Sequence, residues 1–336
     1  GGELKTAYSN FGGVIGYVTF CNLDNCDNTA TKFTQASSAT ITKLEAGNNL
    51  HQIRLGGVVG YAPDMGDITN CDNSAELDLN APNAIHHRVG GLLGSANATV
   101  TKCTNSGKLS LNTKFYTKRL GVGGIAGGFS GSVSECSNSG DIEYTNNQQV
   151  TNQFYLGGVI GTTTAPIDAC VSSGSIILGD KCATSSAATY IGGVVGYHTG
   201  SGVTVANSTF IGNMTMASTI GPSNPYIGGI VGRSSVVIDN CQSYSDIKAL
   251  NLSGKVGLIL GHSRTDTIKA TNCKIGGNLI FATDTGVDAS GEEETVDVKT
   301  PITADNFFEH IYTGAITADV ASADGCSALA TKPSVE

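Results

Sequence analysis

Apolar and polar residues alternate along this chain in short bursts, not in the long stripes of period 3.6 that mark amphipathic helices. Three kinds of burst recur. The first carries glycine inside an aliphatic run, as in Leu55-Gly56-Gly57-Val58-Val59-Gly60 and Tyr190-Ile191-Gly192-Gly193-Val194-Val195-Gly196. A second places an apolar residue three before a cysteine: Ile68/Cys71, Val100/Cys103, Val133/Cys136, Ile167/Cys170 and Ile238/Cys241. The third lies six and eight residues past that cysteine, at Leu77/Leu79, Leu109/Leu111, Ile142/Tyr144, Ile176/Leu178, Met214/Met216 and Leu279/Phe281. Spacing by two predicts strands with one face buried.

The bursts repeat as a set. The last glycine of each run falls at Gly16, Gly60, Gly94, Gly127, Gly161, Gly196, Gly232 and Gly261, a period near 34 residues. Polar turns such as Cys103-Thr104-Asn105-Ser106-Gly107 separate the second and third bursts, and their Asn, Ser and Gly suit left-handed backbone. Three strands and three corners per period predict an all-β parallel β-solenoid of about eight coils, right-handed by the general preference of parallel crossovers. Stacked at about 4.8 Å, the coils make a rod roughly 40 Å long. No single coil buries enough to fold alone, so stability rests on stacking.

The repeat covers residues 1–281, and residues 282–336 read as an acidic loop plus a capping segment of the same domain. Glu292-Glu293-Glu294 reads as solvated loop. Phe307, Phe308, Ile311 and Tyr312 have the spacing of a short amphipathic helix or a covering strand pair. The long first interval carries extra residues in Thr31–Leu50.

Glycine weakens a strand, so its recurrence inside the aliphatic run needs a cause. Two arrangements supply one. A bend at the glycine pair turns successive aliphatics inward, the favoured reading; alternatively the strand is regular and another segment covers its outer aliphatic ladder. Either way the glycines mark a close passage of stacked backbones. The cysteines follow the same column logic: Cys26, Cys71, Cys103, Cys136, Cys170, Cys241 and Cys273 share one repeat position, with Ser208 in the eighth. In-register stacking gives parallel Cβ vectors, poor for disulfides, so these read as free buried thiols. Cys21, Cys182 and Cys326 read as outside the ladder.

Composition agrees with many short strands and tight turns. The 336 residues include 45 Gly and no Trp. The net charge of −9 is uneven, because residues 282–336 hold 11 of the 28 acidic side chains and two of the 19 basic ones. The remainder is neutral and shows no basic stripe for nucleic acid. No apolar run is long enough to span a membrane. The chain opens on Gly1 without Met, compatible with removal of a secretion signal.

Gly57-Val58-Val59-Gly60, Gly91-Leu92-Leu93-Gly94 and Gly193-Val194-Val195-Gly196 resemble the GLUG motif, named for Gly, Leu, any hydrophobic residue and Gly. The continuation into Ser132–Ile142, "SVSECSNSGDI", is similar too, and the resemblance spans about Phe11 to Phe281. This chain prefers Val or Ile at the second position, and its Gly257-Leu258 copy lacks the second glycine. The resemblance implies a secreted or surface-anchored bacterial β-solenoid of the adhesin-like kind, a binding or scaffold role, and no catalytic residue.

Catalytic chemistry finds little footing. Parallel β-helix lyases and hydrolases cluster carboxylates on one wall. Here Asp27 and Asp72 align but are followed by Thr104, Ser137 and Val171, while Glu76, Asp141 and Asp246 are separated by Lys108 and Ser175. His86-His87, His198 and His262 are dispersed, and no C-x₂-C, H-E-x-x-H, G-x-S-x-G or phosphate loop occurs. No catalytic residue, metal or cofactor is expected. Tyrosines carry the better signal. Tyr155, Tyr190 and Tyr226 precede the first aliphatic of the glycine run in successive repeats, where Arg54 and Arg88 stand earlier. Tyr17, Tyr61 and Tyr197 follow the last glycine.

A Tyr ladder beside a glycine trough predicts a platform for sugar rings or peptide. The competing reading, which carries more weight, is that these tyrosines only cap strand ends. Variable segments Asn146–Phe154, Ala183–Thr189 and Ser218–Pro225 precede the glycine run on the same edge. The expected function is a non-enzymatic, adhesin-like surface protein, monomeric and extracellular, recognising glycan or a host or matrix surface protein through the loop and Tyr edge. The alternatives are a polysaccharide-degrading β-helix enzyme and a structural spacer.

Overall fold

Each glycine-bearing run is split in two by its glycines. In the second repeat, strands Gln52–Gly56 and Val59–Ala62 flank a bend at Gly57-Val58. Leu55, Val58 and Val59 all lie in the core at 1% exposure or less, which a regular strand would not permit. The bend is therefore the arrangement adopted. A Cβ at Gly57 would collide with Gly91 O and the Asn73 side chain, so the glycines sit where backbones cross.

The structure is a computed structural model that describes residues 8–35, 52–79, 86–111, 119–145, 153–179, 188–216, 225–234, 236–250, 255–263, 270–287, 293–303, 305 and 325–334. Every described regular element is a strand. Strands stack in parallel into three sheets, giving a β-solenoid. The first sheet runs in sequence order through Tyr8–Gly12, Gln52–Gly56, His86–Gly90, Arg119–Gly123, Gln153–Gly157, Ala188–Gly192, Tyr226–Gly228 and Lys255–Gly257. After the bend the chain enters the second sheet, represented by Val59–Ala62 and Asp67–Thr69, and then the third, by Asp72–Asn73 and Glu76–Leu79. Register is kept residue for residue, as in Tyr155↔Tyr190↔Tyr226 and Leu109↔Ile142↔Ile176↔Met214.

The corner between the second and third sheets lies one residue before the cysteine. Asn25, Asn70, Lys102, Glu135, Ala169, Asn207, Asn240 and Asn272 all have φ between 48° and 56° there. The sequence reading put left-handed backbone after the cysteine, in Cys103–Gly107. Asn105 instead is buried and belongs to an amide ladder. The Nδ2 of Asn28 donates to Asn73 Oδ1 at 3.0 Å, Asn73 to Asn105 at 2.8 Å, and Asn105 to Asn138 at 2.7 Å. Gly107 is needed for space: its Cβ would collide with Ala75 O.

All nine described cysteines are free thiols, and Cys182 lies outside the described residues. Six of the ladder cysteines are buried and Cys26 is half-buried. They do more than fill space. The Cys71 amide donates to Cys103 Sγ at 3.4 Å, while Cys71 Sγ donates to Thr69 O at 3.2 Å. Ser208 serves alike, accepting from the Cys170 amide at 3.2 Å. Hydrogen bonding with Cys136, then burial, pushes the Cys103 thiol up to about 12. Cys326 joins the ladder, contrary to the sequence reading: its Sγ accepts from the Cys273 amide at 3.3 Å, and Ser327–Ala328 pairs with Lys274–Ile275.

Strand Lys274–Val287 continues past the last repeat and pairs antiparallel with Glu293–Pro301. Glu293 and Glu294 thus lie in a strand, not a loop. A register shift between Ile280 and Ala282 turns Phe281 outward at 46% exposure and leaves Ile280 buried. Ile302 tucks into the core, its amide donating to Gly277 O at 2.9 Å. The predicted capping residues Phe307, Phe308, Ile311 and Tyr312 lie outside the described residues, as does most of Thr31–Leu50. Among the described residues no helix is long and apolar enough to cross a membrane.

Candidate functional site

The bend that buries Val58 and Val59 also brings the first two sheets together. At the third glycine of a run they touch: a Cβ on Gly94 would lie 2.6 Å from the Leu55 amide of the preceding repeat. One residue farther out, two columns of side chains meet across this seam. From the first sheet come Asn10, Arg54, Arg88, Gly121, Tyr155, Tyr190, Tyr226 and Lys255 in register. The second sheet supplies Tyr17, Tyr61, Ser95, Gly128, Thr162, Tyr197, Arg233 and His262.

All six tyrosines singled out in the sequence belong to this double column. Tyr155, Tyr190 and Tyr226 stack at 5.6 Å spacing, nearly parallel. Tyr197 crosses from the other sheet to stack on Tyr155 at 5.1 Å and Tyr190 at 4.8 Å. Tyr155 and Tyr190 are buried at 4% and 3% exposure, and Tyr61, Tyr197 and Tyr226 are half-buried. The middle of the ladder is thus a packed zipper between sheets. Tyr17 differs: it is 57% exposed at the first-repeat end.

That end opens into a cavity of about 310 Å³ lined by Asn10, Tyr17, Arg54 and Tyr61. The Tyr17 and Tyr61 rings are 5.7 Å apart and inclined at 54°. Arg54 lies over the Tyr61 ring at 3.6 Å and reaches Asn10 Oδ1 at 3.4 Å. Local sequence explains the seating, since alternation along Gln52–Gly56 sends Ile53 and Leu55 into the core and Arg54 to the opposite face. Farther along, the Arg88 side chain fills the space left by Gly121 and Gly128, both of whose Cβ positions it would crowd.

Sequence reasoning missed the far end of the column. Arg233 donates from Nη1 to the Tyr190 hydroxyl at 2.6 Å, and its guanidinium lies 5.9 Å from the Tyr226 ring. Lys255 Nζ is also 5.9 Å from that ring, and the His262 ring is 4.3 Å from it. Burial, then Lys255 and Arg233, lower the His262 pKa to about 4. The signal was present in Gly232-Arg233 and Gly261-His262, each occupying the post-glycine position of Tyr17, Tyr61 and Tyr197. No position of the double column holds Asp or Glu, although the chain carries 28 acidic residues against 19 basic ones.

The other candidate groups serve the scaffold. Asp27 Oδ1 accepts from the Asp72 amide at 3.0 Å, and Asp72 Oδ1 from the Thr104 hydroxyl at 2.6 Å. Asp141 accepts from the Ser175 amide at 2.8 Å, and Asp246 from Asn278 at 2.6 Å. Buried His198 donates from Nε2 to Ala165 O at 2.7 Å and accepts at Nδ1 from the Gly200 amide at 3.2 Å. Among the described residues no group of three or more His, Cys, Asp or Glu is arranged to hold a metal. Of the variable segments only the final residues next to the first sheet are described. Scans of this chain against protein-family models, curated proteins and solved structures each return no match.

Proposed function

We propose that this protein is a non-enzymatic, adhesin-like surface protein that recognises glycan at the seam between its first two sheets. In this reading it is an extracellular, monomeric rod of eight right-handed coils, consistent with the resemblance to GLUG repeats. The observation that carries the reading is the open cavity at Asn10, Tyr17, Arg54 and Tyr61. The exposed Tyr17 side chain stands there against the Tyr61 ring, beside a guanidinium and an amide. Ring faces take the apolar C–H side of a pyranose, while Arg and Asn hydrogen-bond its hydroxyls. The volume lies at the small end of ligand sites, the scale of one or two sugar units.

A glycan array read against the purified protein tests this. Binding is expected, with Tyr17→Ala weakening it at least tenfold without loss of thermal stability. An array without hits, or hits indifferent to both Tyr17→Ala and Arg54→Ala, would overturn the reading. Turnover of an acidic polysaccharide that disappears with Asp141→Asn or Asp246→Asn would instead favour an enzyme.

A further inference from the structure

We infer that the opposite end of the seam, where Arg233, Lys255 and His262 surround Tyr226, is a second site that takes the carboxylate or sulfate group of an acidic saccharide. Three nitrogen-bearing side chains from two adjacent rungs converge within 6 Å of one ring. Among the described residues none of them takes part in an ion pair. The lysines that do, Lys32, Lys102, Lys108, Lys248 and Lys299, meet carboxylates elsewhere on the molecule. Two nitrogens at the cluster, Arg233 Nε and His262 Nδ1, are buried and have no hydrogen-bond partner among the described residues. Converging cations cost free energy, and an oxyanion among them relieves that cost. Arg233, Lys255, His262 and Tyr226 are all half-buried, so the cluster is reachable from the surface.

A saccharide is favoured over an acidic peptide because the cations alternate with Tyr and His edges, which offer hydrogen bonds to sugar hydroxyls. This choice of class rests on the glycan reading of the first-repeat cavity. Two arms separate the source of the charge: an oligoglucuronate carries carboxylate, and a sulfated neutral oligosaccharide carries sulfate.

The experiment is calorimetric titration of the whole chain with each arm, with an uncharged oligosaccharide of equal length, and with polyglutamate. At least one acidic arm is expected to bind at least tenfold more tightly than the uncharged one. Lys255→Gln should reduce that preference at least fivefold, and so should Arg233→Gln. Arg233→Lys keeps the charge and serves if loss of the Tyr190 contact impairs folding; it should retain most of the preference. The imidazole of His262, which faces Tyr226, Arg233 and Lys255, should titrate at higher pH when the acidic saccharide is bound, followed by nuclear magnetic resonance. Equal binding of polyglutamate would overturn the saccharide class. Absence of any acidic preference, or a preference untouched by Lys255→Gln, would overturn this site. If uncharged glycan still bound through Tyr17, the first-repeat reading would stand alone; if nothing bound, both would fall.

Discussion

A methyl group added at Gly91 would strike Gly124 O and the Asn105 side chain at once, with nowhere to move. Gly91→Ala is therefore expected to cost about 3 kcal/mol by forced displacement of stacked backbone, read as a fall in denaturant midpoint. Gly202 makes the useful contrast. Nothing lies within 4 Å of its Cβ position, but its φ of 71° is left-handed, so Gly202→Ala should cost only about 1 kcal/mol. A larger loss at Gly202 than at Gly91 would contradict the close-passage account. His198 gives a pH signature. Burial holds its pKa below the ordinary 6.5, while its hydrogen bond to Ala165 opposes the shift. The unfolded chain takes up a proton near pH 6.5, so the contribution of His198 is complete above that pH. It is lost as pH falls toward the folded value. His198→Gln should flatten the decline in melting temperature between pH 7.5 and 5; an unchanged slope would refute the assignment.

At the scale of the element, the amide ladder shows why repeats stack in one register. Asn105 joins two rungs and also donates to Gly107 O at 2.9 Å. Asn105→Ala removes these bonds and leaves Asn138 Oδ1 without its donor, an expected loss of about 2–4 kcal/mol. Asn28→Ala, at the first rung, also breaks three bonds but at a site closer to solvent, 6% against 1% exposed, and should cost less; chemical denaturation of the two variants compares them. The period of two and the cysteine column were legible in the sequence because burial alone dictates them. The left-handed corner was not. Five of its eight residues are Asn, but Lys102, Glu135 and Ala169 occupy it as well, so no residue type marks the position uniformly. Nor did the sequence distinguish Asn105 as a buried bridge from Asn105 as a turn former, since both uses call for the same side chain.

Over the whole molecule, the thiol column reports how the rod opens. Cys71, Cys103, Cys136, Cys170, Cys241 and Cys273 are buried, and the thiol of Cys273 is pushed up to about 12 by its hydrogen bond with Cys241 and by burial. A thiol reagent at pH 8 should label Cys21, Cys26 and Cys326 first among the nine described cysteines. The six buried ones should react only as their rungs unfold. Rapid labelling of all nine in the folded protein would contradict the stacked column. Parallel strand pairing joins each rung to the adjacent ones, so partial unfolding should release thiols in blocks adjacent in the chain.

The sequence by itself determined that the chain is a stack of parallel strands. A fixed period forces equivalent residues into columns, and each column must tolerate its own side chain repeated at the spacing of a sheet. It also determined which tyrosines lie together, because column membership follows from counting. Only the tertiary structure decided how two columns from different sheets face one another. That depends on the angle of the glycine bend, which no periodicity encodes. The bend closed the middle tyrosines into a zipper, left Tyr17 open at one end, and gathered Arg233, Lys255 and His262 at the other.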